Sequence, residues 1–244
     1  MQGYGASTYG DQIADVYDSW HAFAEDTPAA AALLAELAGH GPALELAIGT
    51  GRVALPLARH GVEVHGVDAS EAMIARLRAK PGGERIPVTV GDFADLGVEG
   101  RFRLVYVVFN TLFALLTQAE QVRCFRNVAA HLTVDGVFVV EAFVPDLTRF
   151  DRGQRTSLAR IDLDEVMLDV SRHDPVTQTV DSQHVRLRAD GIRMQPVRLR
   201  YAWPSELDLM AQLVGLRLRE RWAGWRREPF TAASSGHVSV YGAG

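Results

Sequence analysis

A chain of 244 residues, 48% hydrophobic and 23% charged, can bury one large core and has the composition of a globular protein. Its net charge of −5 provides no global basic field to gather nucleic acid or an anionic membrane. Near the start, Tyr17 and Trp20 suit the buried side of a short amphipathic helix. Thr27 and Pro28 then read as the N-cap and first helical position of AAAALLAELAG.

Short apolar runs predict strands near Ala43 to Ile48, Val62 to Val67, Pro87 to Val90, Arg103 to Phe109 and Gly136 to Ala142, with helices in the gaps. Such alternation implies a parallel sheet with right-handed crossovers and helices on both faces. The first strand leads into LELAIGTGR. Glu45 breaks its apolar run, and Gly49 and Gly51 lack a Cβ, so the backbone can take positive φ and approach a bound molecule as it turns into a helix near Arg52. A plain strand-to-helix turn is the alternative. Asp68 ends the second strand at the spacing of an acid that accepts hydrogen bonds from a nucleoside sugar; the alternative is a helix-capping acid ahead of SEAMIARLRAK. After the third strand, Gly91 and Asp92 form a turn in which Asp92 can accept from an exocyclic amine and Phe93 can lie on a purine face.

With these three signals in order, the chain resembles the class I S-adenosylmethionine-dependent methyltransferases, whose acid and alternate glycines are matched by Glu45, Ala47, Gly49 and Gly51. Ala47 stands for the first glycine, which asks for negative φ there. The resemblance implies that Gly49 and Gly51 line the methionine portion of the cofactor, that Asp68 takes the ribose, that Asp92 and Phe93 flank the adenine, and that Asn110 lies beside the methyl donor. Arg52, Ala69, Met73, Gly91, Phe109 and Thr111 complete the candidate cofactor set. YGDQIADVYD and VFVVEAFVPDLTRFDRG are similar to stretches of bacterial natural-product tailoring methyltransferases, including those that N-methylate nucleotide-linked amino sugars. That likeness implies that Tyr9, Tyr17 and His21 cover the cofactor. The fold it implies is α/β, a Rossmann-like sheet of seven strands, mostly parallel with the last antiparallel. It adds an N-terminal helical cap and an antiparallel β insertion after strand five.

GTGRVA also fits the GxGxxA turn of a nicotinamide enzyme, for which Asp68 serves equally well. Glu45, the turn at Asp92 and the aromatic segment ahead of the first strand favour the methyltransferase. A nucleoside-binding fold used for cyclisation, without methylation, is a further alternative.

From Arg155 to Tyr201 polar and apolar positions alternate, and Asp190-Gly191 supplies a hairpin turn, so an antiparallel insertion is expected over the carboxyl edge of the sheet. It can form a wall of the substrate pocket or a dimerisation ribbon. Pro204 opens a helix. Strands near Leu216 to Trp222 and His237 to Tyr241 should then form a reversed hairpin whose connecting loop GWRREPFTAASSG sits beside the substrate, while Trp222 suits the core. Arg217, Arg219, Arg221, Arg226 and Arg227 read as a solvated surface or as a patch for an anionic substrate.

Methyl transfer needs a nucleophile held in line behind the methyl, and a hydroxyl or ammonium nucleophile must lose a proton. His237 is the first candidate to take it, followed by Glu141, His173 and His21; the pair His173-Asp174 is explained as well by a strand end before Pro175. The Asp/Asn-Pro-Pro-Tyr/Phe tetrapeptide of base-amine methylases is missing, FNTLF standing in its place. Phe113, Phe143, Tyr201, Trp225 and Phe230, with Trp203, favour a small organic acceptor with an apolar or ring portion.

Lone Cys124 allows no internal disulfide or thiolate cluster and should pack in a helix, and the eight histidines show no HxxxH pair, so no metal is expected. MQGYGASTYGDQ lacks a basic and apolar tandem and no apolar run reaches a membrane span, which points to the cytoplasm. One domain is expected, divided into a cap (1–40), a cofactor-binding core (41–142), a β-rich insertion (143–203) and a C-terminal helix and hairpin (204–244).

Overall fold

The computed structural model of the chain describes residues 1, 3–20 and 26–244. Two short helices, α1 (Thr8–Ile13) and α2 (Tyr17–Trp20), precede α3 (Thr27–Ala38). Asp26 is the residue ahead of α3, so Thr27 lies inside the helix rather than capping it. The alternating region follows as β1 (Ala43–Leu46), α4 (Ala54–Arg59), β2 (Val64–Asp68), α5 (Glu71–Arg78), β3 (Val88–Val90), β4 (Phe102–Val107), α6 (Gln118–His131) and β5 (Leu132–Phe143). The insertion is β6 (Gln154–Ile161), β7 (Glu165–Asp174), β8 (Thr179–Arg188) and β9 (Gly191–Arg200), and the chain closes with α7 (Pro204–Gln212), β10 (Leu216–Trp222) and β11 (Gly236–Ala243).

The main sheet has the order β10-β11-β5-β4-β1-β2-β3. Strands β1 to β5 pair in parallel, and β11 runs antiparallel to both β5 and β10. All four residues of β1 are buried, as a central strand covered on both faces requires. Along β4 the side chains alternate between two apolar layers. Val105 and Val107 join Cys124 and Phe125 of α6 and Met210 of α7, while Leu104 and Tyr106 join Leu34 of α3, Leu57 of α4 and Trp222. Cys124 and Trp222 are therefore core residues. The chain moves outward from β1 to β3 and then returns to β4, so the strand order reverses beside β1 and opens a crevice at the carboxyl ends of the strands.

Strands β6 to β9 form a separate antiparallel sheet in sequence order. One face carries charged groups toward the N-terminal helices: the Arg186 guanidinium lies 5.1 Å from the Trp20 ring centroid, and Arg193 pairs with Asp15 at 3.8 Å. The register sets Leu158 and Val185 against Leu168, Leu187 against Val166, and Ile192 and Met194 against Leu187 and Val185, which gathers these apolar residues on the opposite face. That face is outward: Leu158, Ile161, Ile192 and Met194 are 57%, 67%, 70% and 57% exposed.

Arg200, at the end of β9, is 5% exposed and ties this sheet to the main body. Its guanidinium donates to Gln121 Oε1 of α6 (2.6 Å), Gln178 Oε1 (2.8 Å) and Glu206 Oε1 of α7 (2.8 Å). Removing a buried cation from such a set leaves its acceptors without donors. Arg200→Leu is expected to cost about 3 kcal/mol of stability, read as a lowered urea midpoint with the slope unchanged.

Candidate functional site

The turn after β1 places Ala47, Gly49 and Gly51 all in the left-handed region, at φ 56°, 57° and 77°. Ala47 thus departs from the negative φ expected of it. The turn imposes the conformation whatever the residue, at a cost of about 1–2 kcal/mol for an alanine. The Gly49 N–H donates to Asp68 Oδ2 at 2.7 Å, and Asp68 Oδ1 accepts the Ser70 N–H at 2.8 Å. Ser70, whose side chain accepts from the Met73 N–H, is the N-cap of α5, so Asp68 is not a helix-capping acid. Burial pushes the Asp68 carboxyl up, against the hydrogen bonds from Ser70 and Gly49. Gly51 has a different reason to be glycine: a Cβ there would meet Leu77 Cδ1 at 2.3 Å.

A cavity of about 250 Å³ opens above this turn. Ala47 and Gly49 form its floor, Asp68, Ala69, Ser70 and Met73 one wall, and Asp92, Phe93 and Thr111 another. Tyr4, Tyr9, Gly10 and Tyr17 of the N-terminal segment roof it, and Leu115, Leu116 and Glu120 complete the rim. Ten of the candidate cofactor residues therefore meet around one cavity: Tyr9, Tyr17, Ala47, Gly49, Asp68, Ala69, Met73, Asp92, Phe93 and Thr111. Tyr4, Ser70 and the rim carried no sequence signal beyond the tyrosine's place near the start.

Six others lie elsewhere. Gly51 is packed beneath the turn. Glu45 is 2% exposed behind it, where it accepts from the Tyr106 hydroxyl at 2.9 Å and from the Ala54 N–H. Burial pushes its carboxyl up to about 8. Arg52 donates to Thr27 Oγ1 (2.9 Å), hydrogen-bonds Tyr17, and has its guanidinium 5.0 Å from the Phe109 ring centroid, so Arg52 and Phe109 brace each other outside the cavity. Gly91 donates its N–H to the Asp68 carbonyl, linking β2 to the third turn. Asn110 lines a second cavity instead, its Oδ1 accepting the Phe143 N–H at 2.6 Å.

That second cavity also gathers Glu141, Phe143, Trp225 and His237. Both Glu141 oxygens are engaged, by the Phe109 N–H (2.7 Å) and the Trp225 indole N–H (2.8 Å), so Glu141 holds two chain segments together instead of standing free as a base. His237 is 1% exposed; its Nδ1 shares a hydrogen bond with Ser239 Oγ at 2.8 Å, and Phe230 meets its ring edge-on at 6.2 Å. Burial, helped by the neighbouring Arg221, pushes His237 down to about 4. The first-ranked base is therefore shut inside the fold. The loop 224–236 borders this cavity and not the roofed one.

His173 lies on a third cavity, which shares Leu116 with the roofed one. Its Nε2 hydrogen-bonds the Tyr201 hydroxyl at 2.9 Å and its ring stacks on Phe150 at 4.9 Å. Asp174 does not orient it: its oxygens accept from the Val176 N–H and the Thr177 hydroxyl, which is the turn explanation. Phe113 and Tyr201, expected to line a pocket, are core residues, 0% and 3% exposed. Three of the C-terminal arginines are paired, Arg221 with Asp208, Arg226 with Asp26 and Arg227 with Glu36. His21 lies outside the described residues. Among the described residues no helix is long and apolar enough to cross a membrane.

The sheet has seven strands with the last reversed and a crevice at its switch point, and the comparisons identify the enzyme class that shares it. Residues 43–136 match the family model described as a methyltransferase domain. The chain is 47% identical to the CcbJ methyltransferase from Streptomyces caelestis, whose structure aligns with a TM-score of 0.93 over 98% of this chain and 99% of that one. The chain belongs to the S-adenosylmethionine-dependent methyltransferases. It is also 27% identical to the cypemycin N-terminal methyltransferase of a Streptomyces species, over 84% of this chain and 86% of that protein. A third relative, the dTDP-3-amino-3,6-dideoxy-alpha-D-glucopyranose N,N-dimethyltransferase of Streptomyces fradiae, is 35% identical over 54% of each chain. Methyl transfer from S-adenosylmethionine to a small-molecule acceptor is accordingly the reaction, and the dinucleotide and cyclase readings are set aside.

Glu45 gives a pH test of the turn. A carboxyl raised from about 4.5 to about 8 by folding binds more protons folded than unfolded, so its contribution to stability is lost as pH rises through 8. Glu45→Gln mimics the protonated form and keeps an acceptor for Tyr106. Its thermal midpoint should exceed the parent's by several degrees at pH 8.5 and converge with it at pH 4.5, as measured by calorimetry.

Proposed function

We propose that S-adenosylmethionine occupies the roofed cavity, and the observation that carries this is Asp68. Its carboxylate takes the Gly49 N–H on Oδ2 and the Ser70 N–H on Oδ1, with the Ala69 N–H as a further donor, and it lines the cavity, where its remaining acceptor capacity suits the hydroxyls of a ribose. Asp92 uses Oδ1 for the Ala94 N–H and keeps its other oxygen for an amino group beside the Phe93 ring. Ala47 and Gly49 offer little more than backbone and one methyl group to the floor, where the methionine portion would lie. Tyr4, Tyr9 and Tyr17 exclude water from above; burial raises the Tyr9 and Tyr17 phenols, so they serve as neutral donors. The bound cofactor supplies an electrophilic methyl on a sulfonium, and positioning of the acceptor supplies most of the rate.

An amine acceptor is the reading we favour, because the two relatives named for their acceptors methylate nitrogen. A natural-product or sugar amine entering past Leu116 must shed its proton, and His173 is the base we favour: it is partly exposed on a cavity that shares Leu116 with the roofed one, whereas His237 and Glu141 line the second cavity. Asp68→Ala should abolish binding of S-adenosylhomocysteine in calorimetry. His173→Ala should leave that affinity intact and lower kcat about a hundredfold or more on an amine acceptor; unchanged turnover removes His173 from the mechanism.

We propose further that the chain works as a single domain in the cytoplasm, takes no nucleic acid, and forms a homodimer through the outward apolar face of the second sheet. Exposed aliphatic side chains gathered on one sheet face are supported best by a partner surface. Light scattering should find twice the chain mass, falling to one chain mass in the double variant Ile192→Asp, Met194→Lys.

A further inference from the structure

We infer that Asp18 is a positioning residue: through Lys80 and Thr50 it fastens the roof of the cofactor cavity to the glycine turn. The inference rests on the placement of the cofactor in that cavity. Among the described residues the buried apolar contact of the roof is Ile13 and Ala14 on Met73 of α5, with Tyr9, Val16, Tyr17 and Trp20 partly buried against them. Polar ties do the rest. Asp18 Oδ1 accepts from the Thr50 hydroxyl at 2.6 Å and from Lys80 Nζ at 2.8 Å, and Oδ2 lies 2.8 Å from the same ammonium. Lys80, the only lysine of the chain, also donates to the Thr50 carbonyl at 2.8 Å.

This closed triangle joins three segments that meet nowhere else in sequence: α2, which carries Tyr17; the turn, where Thr50 sits between Gly49 and Gly51; and the end of the segment after α5. Tyr17 is the residue next to Asp18 and hydrogen-bonds Arg52, so the tie and that bond together set where the phenol stands over the cavity. A second tie lies at the other end of the roof, where the Ser70 hydroxyl donates to Asp11 Oδ1 at 2.6 Å. Close approach there is built in, because a Cβ on Gly10 would come within 2.7 Å of Ser70 Cβ. Burial raises the Asp18 carboxyl, but the hydrogen bonds from Lys80 and Thr50 outweigh it and hold the group below its usual value, so it is the charged form that makes the tie.

Asp18 and Lys80 are too exposed, at 46% and 29% of their side chains, for the pair to add much to global stability. Its effect is on geometry, and the two roles separate by experiment. Without Asp18, Lys80 still caps the Thr50 carbonyl and the turn survives; without Lys80, the cap and the ion pair are lost and Asp18 keeps only the Thr50 hydroxyl.

The test is calorimetric binding of S-adenosylhomocysteine to the full chain. Asp18→Ala should weaken binding about tenfold, a change of about 1.4 kcal/mol, and Lys80→Ala should weaken it at least as much. The double variant should lose less than the product of the two single losses, and Asp11→Ala should multiply with Asp18→Ala as an independent tie. Amide hydrogen exchange across residues 8–20 should quicken in Asp18→Ala while the thermal midpoint stays within about 3 °C. Affinity within twofold of the parent in both single variants, or full multiplication in the double, overturns the inference. Asp68→Ala is the control: if it abolishes binding while Asp18→Ala does not weaken it, the tie alone is wrong; if Asp68→Ala also leaves affinity intact, the cofactor lies elsewhere and both readings fall.

Discussion

The hydrogen bond from the Gly49 amide to Asp68 joins the ends of two adjacent parallel strands, and the shape of the crevice follows from it. β1 and β2 are in register through Leu46 and Val67, so the turn after one strand and the acid ending the other leave the sheet side by side. Three residues of that turn sit in a conformation that only glycine adopts without cost, and one of them is Ala47. The geometry is held from both directions. Asp68 anchors the turn from the side of β2, while Glu45 and Tyr106 brace it from behind, within the sheet. The Asp68 carboxylate also orders the Ser70 N–H and hence the start of α5, against which the N-terminal segment is fitted.

What was readable in the sequence divides along physical lines. Strand positions were readable because burial on both faces writes continuous apolar runs, as in β1, all four of whose residues are buried. Asp68, Asp92 and Phe93 were readable because a parallel sheet fixes which strand ends share an edge. Which side of that edge a residue serves is decided by packing, and there the pattern was silent. Asn110, Glu141 and His237 all stand near the expected strand ends, yet they surround a different cavity. The left-handed φ of Ala47 was invisible because a turn's closure, not the preference of its residue, decides its dihedrals. The insertion alternated as a half-buried sheet should, but periodicity does not reveal which face meets the body, and here the polar face does. Asp18, Thr50 and Lys80 belong to no local pattern at all, being 32 and 62 residues apart along the chain.

The two sheets divide the labour of the molecule. The parallel sheet supplies fixed strand ends, with buried acids set among backbone donors. The antiparallel sheet contributes charged groups to the N-terminal helices and, through Arg200, is clamped to α6 and α7. His173 belongs to that second sheet, yet its cavity shares Leu116 with the one roofed by the N-terminal segment, so elements far apart in sequence meet at a single threshold.

The position of β11 has a consequence for synthesis. β10 pairs with β11 alone, and β11 fills the gap between it and β5. Until residue 243 has left the ribosome, β5 therefore presents a long row of unpaired amides and carbonyls, the kind of open edge that recruits other nascent chains. The sheet is closed on this side only when residues 236–243 have paired with β5.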